Sequence, residues 1–404
     1  MRVLIAVDGT RGDVHPMLEL GASLRDRGHD VRVCAPPDFA PAAEQRGLAF
    51  HCVGGSVQDY LRAEASMLHG GALTTSRAGE RYLRESLPAQ MRDLMSVAGG
   101  TELVIASGTQ LAAFSVAERV GARYRMVCYD PAVLRSSEQT PAMLPIVSAP
   151  RWATRLIWTV LLRSMQLRLL PAVNRERAAI DLPPISDLYA RLVGERPVLA
   201  AEERLAPPPS DAGPVDVIGC LHPFAERELP AKLEGFLASG PRPIYVGFGS
   251  MTDPEPARST RMILEAVERA GVRAVLASGW AGLGEGALPG DVIVVGAVEH
   301  ASLFGRVRAV VHHGGAGTTT TAARAGVPQV LTPHVLDQIH WAHRIARLGL
   351  GPPACPRRKL TADRLAAAIR AGLDNDALAE RAMRVGSQLR AQQARRPSPA
   401  LAFE

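Results

Sequence analysis

Short apolar runs, each followed by a glycine-punctuated turn and a stretch of helical period, recur along the chain. Val3 to Val7 is the first such run and reads as a buried strand. Asp8-Gly9-Thr10-Arg11-Gly12-Asp13 follows as a loop, and Val14-His15-Pro16 leads into a helix over Met17 to Asp26 with proline near its first turn. Gly28-His29-Asp30 ends that helix, and Val31 to Ala35 is the second strand. This order predicts an α/β protein with a doubly wound parallel sheet, whose ligands lie beyond the carboxyl ends of the strands. Thr10, Arg11 and Asp13 therefore fall on a functional edge. Leu103 to Ser107 and Arg125 to Tyr129 extend the sheet, with a helix over Val116 to Val120 between them.

The pattern restarts after Ala206-Pro207-Pro208-Pro209-Ser210-Asp211-Ala212-Gly213-Pro214, the clearest composition break in the chain. Proline makes this segment an extended spacer. It predicts a first domain over 1–205, a linker over 206–214 and a second domain over 215–378. A last helix (Leu378 to Arg395) and a tail then fill 379–404. Within the second domain, Pro243 to Gly249 is a strand entering a glycine turn with Ser250, a helix covers Ala257 to Ala270, and Val272 to Ala277 and Val292 to Gly296 are further strands. Ala309-Val310-Val311 is another buried strand. It turns through His312-His313-Gly314-Gly315-Ala316-Gly317 into a helix over Thr318 to Ala325, closed by Gly326 and Pro328.

Composition narrows the class. The 404 residues, 47% of them hydrophobic, suit a two-domain globular protein with ample core. Aromatic content of 4% argues against a base-stacking nucleic-acid surface. The net charge of +6 is spread as arginine, Lys232 and Lys359 being the only lysines. Five scattered cysteines, with no C-x-x-C, fit a reducing cytoplasm and give no disulfide or zinc framework. The strand at residues 2–7 leaves no signal peptide, so the expected location is cytoplasmic. Residues 151–170 combine Trp152, Trp158 and several leucines with Arg151, Arg155, Arg163 and Arg168. Four arginines disfavour a spanning segment. A wall for a greasy acceptor or an interfacial helix making a peripheral contact with acidic lipid remain, the first being preferred.

Two places carry candidate chemistry. A small-residue turn entering a helix N-terminus is an anion site, because unpaired N–H groups converge there and the helix dipole favours negative charge. Glycines let a phosphate approach, and His313 beside the turn offers a donor. Asp13 is either a helix cap or a carboxylate positioned to accept a proton from an attacking hydroxyl.

HHGGAGTT at 312–319 with Pro333 to Asp337-Gln338, GTRGDVHP at 9–16 and VGFGSM at 246–251 resemble the signatures of GT-B nucleotide-sugar glycosyltransferases. They are closest to the bacterial group that decorates glycopeptide and macrolide antibiotics and to sterol-glucosyltransferase-like proteins. The resemblance spans nearly the whole chain and is weakest over 54–200. It implies two facing Rossmann-like domains with a cleft, the last helix packing back on the first domain, and a metal-independent, inverting transfer of a hexose or deoxyhexose from a dTDP- or UDP-sugar to a hydroxyl of a hydrophobic natural product. Donor and acceptor would be the only small-molecule partners, with no further cofactor.

Site roles follow from the resemblance residue by residue. Asp13 takes the place of the base, with His15 in reserve. Arg11, Ser250, His313, Gly315, Ala316, Gly317 and Thr318 meet the donor diphosphate. Thr10, Asp337 and Gln338 meet the donor sugar, and Trp280 and Val298 the nucleotide base. Ser107 stands where relatives with a histidine base carry a second Asp, which favours a lone Asp base. Thr321 stands where many relatives carry a ribose-binding Glu, so dTDP and UDP both stay open. Asp374-Asn375-Asp376 matches D-x-D formally but falls in a turn between helices and is discounted, leaving no metal site. Met67, His69, Tyr82 and Met91 are core or substrate contacts alike. Two rival readings are a nucleotide-sugar 2-epimerase on the same fold and a non-catalytic partner of another glycosyltransferase.

Overall fold

A computed structural model describes residues 1–64, 72–222 and 227–404. The chain divides into two compact units, one of 1–222 with 397–404 and one of 223–396.

The first unit is a seven-stranded parallel sheet in the order β3-β2-β1-β4-β5-β6-β7. Its strands are β1 (Arg2–Asp8), β2 (Asp30–Ala35), β3 (Ala49–Cys52), β4 (Leu103–Gly108), β5 (Arg123–Cys128), β6 (Val198–Leu199) and β7 (Asp216–Val217). Val3 to Val7 and Leu103 to Ala106 are buried, the continuous apolar signature of strands covered on both faces. The helices named here are α1 (Arg11–Asp26), α2 (Ala72–Val97), α3 (Ala113–Val120) and α4 (Arg151–Ala178). Leu87, Met91 and Leu94 of α2, Phe114 and Val116 of α3, and Leu169 and Val173 of α4 close one core with Leu4, Ala6 and Val104. Met91 is thus a core residue; Met67 and His69 lie outside the described residues.

The second unit has a five-stranded parallel sheet in the order β10-β9-β8-β11-β12. Its strands are β8 (Ile244–Gly247), β9 (Ala274–Ala277), β10 (Val292–Val295), β11 (Val310–His312) and β12 (Gln329–Leu331). Ile244 and Val246 enter one core and Tyr245 the other, as alternation across a doubly covered sheet requires. Its longer helices are α5 (Pro256–Ala270), α6 (Ala316–Ala325), α7 (Gln338–Arg347), α8 (Ala362–Leu373) and α9 (Asp376–Ala394).

Several boundaries differ from the sequence reading. Helix α1 starts at Arg11 and not at Met17, because Thr10 and Asp13 form a capping box that satisfies the first turn ahead of Pro16. The proline-rich segment is not the domain boundary. Asp211 within it accepts from the Ser137 amide at 2.8 Å and the Ser137 hydroxyl at 2.6 Å, and Ala206 is buried, which pins the segment to the first unit. The strand after it, β7, pairs with β6, so residues 215–222 complete the first unit. At the other end, α9 packs on α6 and α8 within the second unit. The piece that returns to the first unit is the tail from Pro397. There the Ser398 and Ser23 hydroxyls lie 3.1 Å apart, and Arg27 donates to Glu404 at 2.8 Å. Asp374-Asn375-Asp376 is the α8–α9 turn, with Asn375 capping α9.

Candidate functional site

In a doubly wound sheet the ligand edge lies where strand order reverses. In the first unit that point is between β1 and β4, whose last residues, Asp8 and Gly108, are paired in register. Asp13 sits directly above it. Its Oδ2 accepts from the Thr10 amide at 2.9 Å and lies 3.4 Å from the Thr10 hydroxyl. The capping role is therefore real, and it leaves Oδ1 without a hydrogen bond from another residue among the described residues. Gly9, at φ +138°, has no room for a side chain, since a Cβ there would fall 2.3 Å from Asp13 Oδ2. Burial first, and the negative charge of Asp8 with it, push Asp13 up to about 6. Tyr129 donates to the Asp13 carbonyl at 2.8 Å. Arg11 is exposed in the first turn of α1.

His15, one turn on, packs edge-on against Phe39 and is pulled down to about 4 by burial and by the nearby Arg46, Arg11 and His222. Burial thus moves the Asp13 carboxyl toward neutral pH and the His15 ring away from it. Ser107 is buried and donates to the Val127 carbonyl at 3.0 Å, away from base chemistry.

In the second unit the switch point lies between β8 and β11, with Gly247 and His312 in register. Ser250, His313 and the α6 N-terminus gather there. His312 has a structural task. Its Nδ1 accepts from the Gly314 amide at 3.1 Å and its Nε2 faces the Gln329 amide oxygen at 3.0 Å, which sets the Nε2–H tautomer. His313 stands apart from this pair of bonds. It is buried, burial pulls it down to about 4, and its Nδ1 has no partner among the described residues. Its ring lies over the neighbouring turns, 2.6 Å from where a Cβ on Gly315 would be and 3.0 Å from one on Gly249.

Among the described residues no side chain caps α6. Among the described residues the amides of Ala316, Gly317 and Thr318 make no backbone hydrogen bond, the first from this helix being Thr319 N to Gly315 O at 2.9 Å. Gly315 to Thr318 are half-buried, and Ser250 is buried. The Thr321 hydroxyl turns back to Gly317 O at 2.8 Å and is buried, so it does not project from the helix end.

The turn after β12 is built tightly. Leu336 holds φ +53°, a left-handed conformation uncommon outside glycine. Gln338 is buried, and its Oε1 accepts from the amides of His334 at 2.9 Å and Val335 at 3.2 Å. Half of its amide is thus spent on holding the turn, and Nε2 lies 3.3 Å from Met251 Sδ. Asp337, half-buried, opens α7. His334 lies against Phe248 and His340 is buried, as packing residues. The Trp280 amide donates to Gly249 O at 3.1 Å, which brings the β9 turn beside the β8 turn. Val298 is half-buried against the Tyr245 core. Among the described residues no group of three His, Cys, Asp or Glu side chains gathers as a metal site.

Sequence reasoning passed over Asp8, Gln90 and Thr109, and took Tyr82 only as a generic contact. Asp8 is buried at the end of β1, and Tyr82, Gln90 and Thr109 all donate to it. An aspartate closing an otherwise apolar strand was the available signal.

Solved structures match this architecture over its length. A crystal structure of the glycosyltransferase VinC in complex with dTDP superposes with a TM-score of 0.71 at 22% identity, over 100% of this chain and 98% of that one. Spinosyn rhamnosyltransferase SpnG complexed with thymidine diphosphate gives 0.67 at 19%, over 100% and 99%. The fold is GT-B.

Relatives in sequence narrow this further. Residues 3–125 match the glycosyltransferase family 28 N-terminal domain, and residues 263–402 the erythromycin biosynthesis protein CIII-like C-terminal domain. Vancomycin aglycone glucosyltransferase of Amycolatopsis orientalis is 37% identical over 362 residues, 87% of this chain and 85% of that one. The dTDP-epi-vancosaminyltransferase of the same organism is 38% identical over 362 residues, again 87% and 85%. A sterol 3-beta-glucosyltransferase of Arabidopsis thaliana is 29% identical over 386 residues, 92% of this chain and 62% of that one. The chain belongs to the glycosyltransferase family of these antibiotic-decorating enzymes, to which the sterol glucosyltransferases are related. Nothing among these relatives supports an epimerase or a non-catalytic helper.

Proposed function

We propose that the protein is an inverting O-glycosyltransferase that moves a hexose or deoxyhexose from a dTDP- or UDP-sugar to a hydroxyl of a hydrophobic natural product of the antibiotic or polyketide type, in the cytoplasm and without a metal. The observation that carries this reading is Asp13, a half-buried carboxylate raised to about 6, one of whose oxygens takes no hydrogen bond from another residue among the described residues. In the proposed reaction Asp13 takes the acceptor hydroxyl proton as that oxygen bonds to the anomeric carbon. The bond to the donor diphosphate breaks with its electron pair, and configuration inverts, α to β for a D-sugar donor. The amides of Ala316, Gly317 and Thr318, with Gly315, Ser250, His313 and Arg11, take the charge developing on the diphosphate, the electrostatic part of catalysis. Thr10, Asp337 and the Gln338 Nε2 orient the sugar, and Trp280 and Val298 border the base.

Helix α4 is long and apolar enough, by length and composition alone, to cross a membrane. Its Trp158 and Leu169 are buried in the first unit, while Trp152, Leu156, Val160 and Leu167 are exposed. We assign that exposed stripe to a greasy acceptor. The arginines flanking it favour a second reading, contact with acidic lipid, which binding to anionic but not neutral vesicles would establish.

Thermal-shift titration with UDP, dTDP, GDP and ADP tests the donor site. A ligand at 100 times its Kd adds about 2.7 kcal/mol of stability. Stabilisation by dTDP or UDP is expected, and no response to any of the four would refute the donor site.

A further inference from the structure

Asp8 is 4% exposed at the carboxyl end of β1. Its Oδ1 accepts from the Tyr82 hydroxyl at 2.6 Å, and its Oδ2 from Gln90 Nε2 at 2.7 Å and from the Thr109 hydroxyl at 3.1 Å. Gln90 cannot be turned the other way, because its Oε1 accepts from the Leu111 amide at 2.9 Å. Among the described residues Asp8 makes no ion pair. Burying a carboxyl group is costly unless its charged form is hydrogen-bonded, and neutral donors supplied by α2 and by the residue after β4 do this here. Burial pushes Asp8 up, and its bonds to Tyr82, Thr109 and Gln90 pull it back.

The neighbour of this carboxylate is Asp13. The Asp13 side chain rests on the backbone that flanks Asp8. A Cβ on Gly108 would lie 3.3 Å from Asp13 Cβ and 1.9 Å from the Asp8 carbonyl oxygen, and one on Gly9, the residue after Asp8, would lie 2.3 Å from Asp13 Oδ2. Like charges on neighbouring carboxyl groups disfavour the second ionisation. We propose that Asp8 is a positioning residue for the transfer reaction: a buried anion, fixed by Tyr82, Gln90 and Thr109, whose charge strengthens Asp13 as a proton acceptor. This rests on Asp13 being the base.

The other titratable groups around the pair hold one charge over the relevant range. Tyr82 and Tyr129 are pushed far up by burial and stay protonated. Tyr60, against the Tyr82 ring, is also raised. His15, at about 4, is neutral above pH 5 and faces Arg46, Arg11 and His222. Arg11 stays cationic.

The test is a carboxyl-carbon NMR titration of the full chain labelled at aspartate, in which Asp13 and Asp8 are assigned from the signals lost in Asp13→Asn and Asp8→Asn. In the native protein the Asp13 signal is expected to titrate near 6. In Asp8→Asn its midpoint should move down, toward the ordinary aspartate value of about 3.9. Tyr82→Phe, which keeps the Asp8 charge and removes one donor, should leave it in place or higher. An unmoved Asp13 midpoint in Asp8→Asn, or an equal fall in Tyr82→Phe, overturns the proposal. If Asp8→Asn does not fold, Asp8 and Asp13 are the pair of signals sharing a coupled titration, and a group at this pair that ionises only above the Asp13 midpoint overturns it in the native protein alone. Full turnover in Asp13→Asn would instead remove the base assignment while leaving the charge coupling measurable.

Discussion

Replacing Asp13 by Asn should make the protein more stable and nearly inactive, and the two effects should separate with pH. In the folded chain the Asp13 carboxyl is raised from 3.8 to about 6. A folded pKa above the unfolded one means that the native state holds the proton more tightly, so stability falls as pH rises from about 4 to 6 and the loss is complete above that. The rise corresponds to about 3 kcal/mol. Asn keeps some desolvation cost and can still accept from the Thr10 amide, so a gain of about 1–3 kcal/mol is expected at pH 8, at roughly 2–4 °C per kcal/mol for a unit of this size. Below about pH 3, where Asp13 is protonated in both states, the variant and the native protein should melt together. Turnover should fall by about 10²–10⁴, the usual contribution of a general base, while donor binding stays intact. Melting curves from about pH 3 to 8 and a donor-consumption assay measure both. Native-like turnover, or a stability difference that does not change with pH, would refute the assignment.

Three further outcomes follow from the geometry. His313→Ala should weaken dTDP or UDP binding by about 1.5–3 kcal/mol, the worth of a hydrogen bond to a charged group, and calorimetric titration with unchanged affinity would remove His313 from the diphosphate site. Gly314→Ala should destabilise the second unit by about 1–3 kcal/mol, because its φ is +96° and the new Cβ would sit 3.0 Å from the Gln338 carbonyl and 3.2 Å from Leu331 Cδ2; an unchanged melting temperature would contradict this. Changing Trp152, Leu156 and Val160 together to Ser should shift stability by less than about 1 kcal/mol, since all three are exposed. The same change should raise the acceptor KM if the stripe meets the acceptor, and an unchanged KM would count against that role.

What the sequence determined by itself is what local pattern encodes. Apolar runs at Val3 to Val7 and Ala309 to Val311 placed strands, and glycine turns at 9–13 and 314–317 placed both switch-point edges, because strand burial and turn chemistry act within a few residues. The motifs around Asp13 and His313 pointed to the fold and family that solved structures and relatives bear out. The tertiary structure decided what depends on partners far along the chain. Residues 215–222 join the first unit because β7 finds a place beside β6, and α9 stays in the second unit because its apolar face meets α6 and α8. Asp8 looked like a loop residue until Tyr82, Gln90 and Thr109, 74 to 101 positions away, closed on its carboxylate. Gln338 stood only as a donor-sugar contact, and the structure shows its oxygen taken by the turn it stabilises. The cost of burying a polar group is set by the donors that folding brings to it, and spacing along a chain does not reveal which those will be.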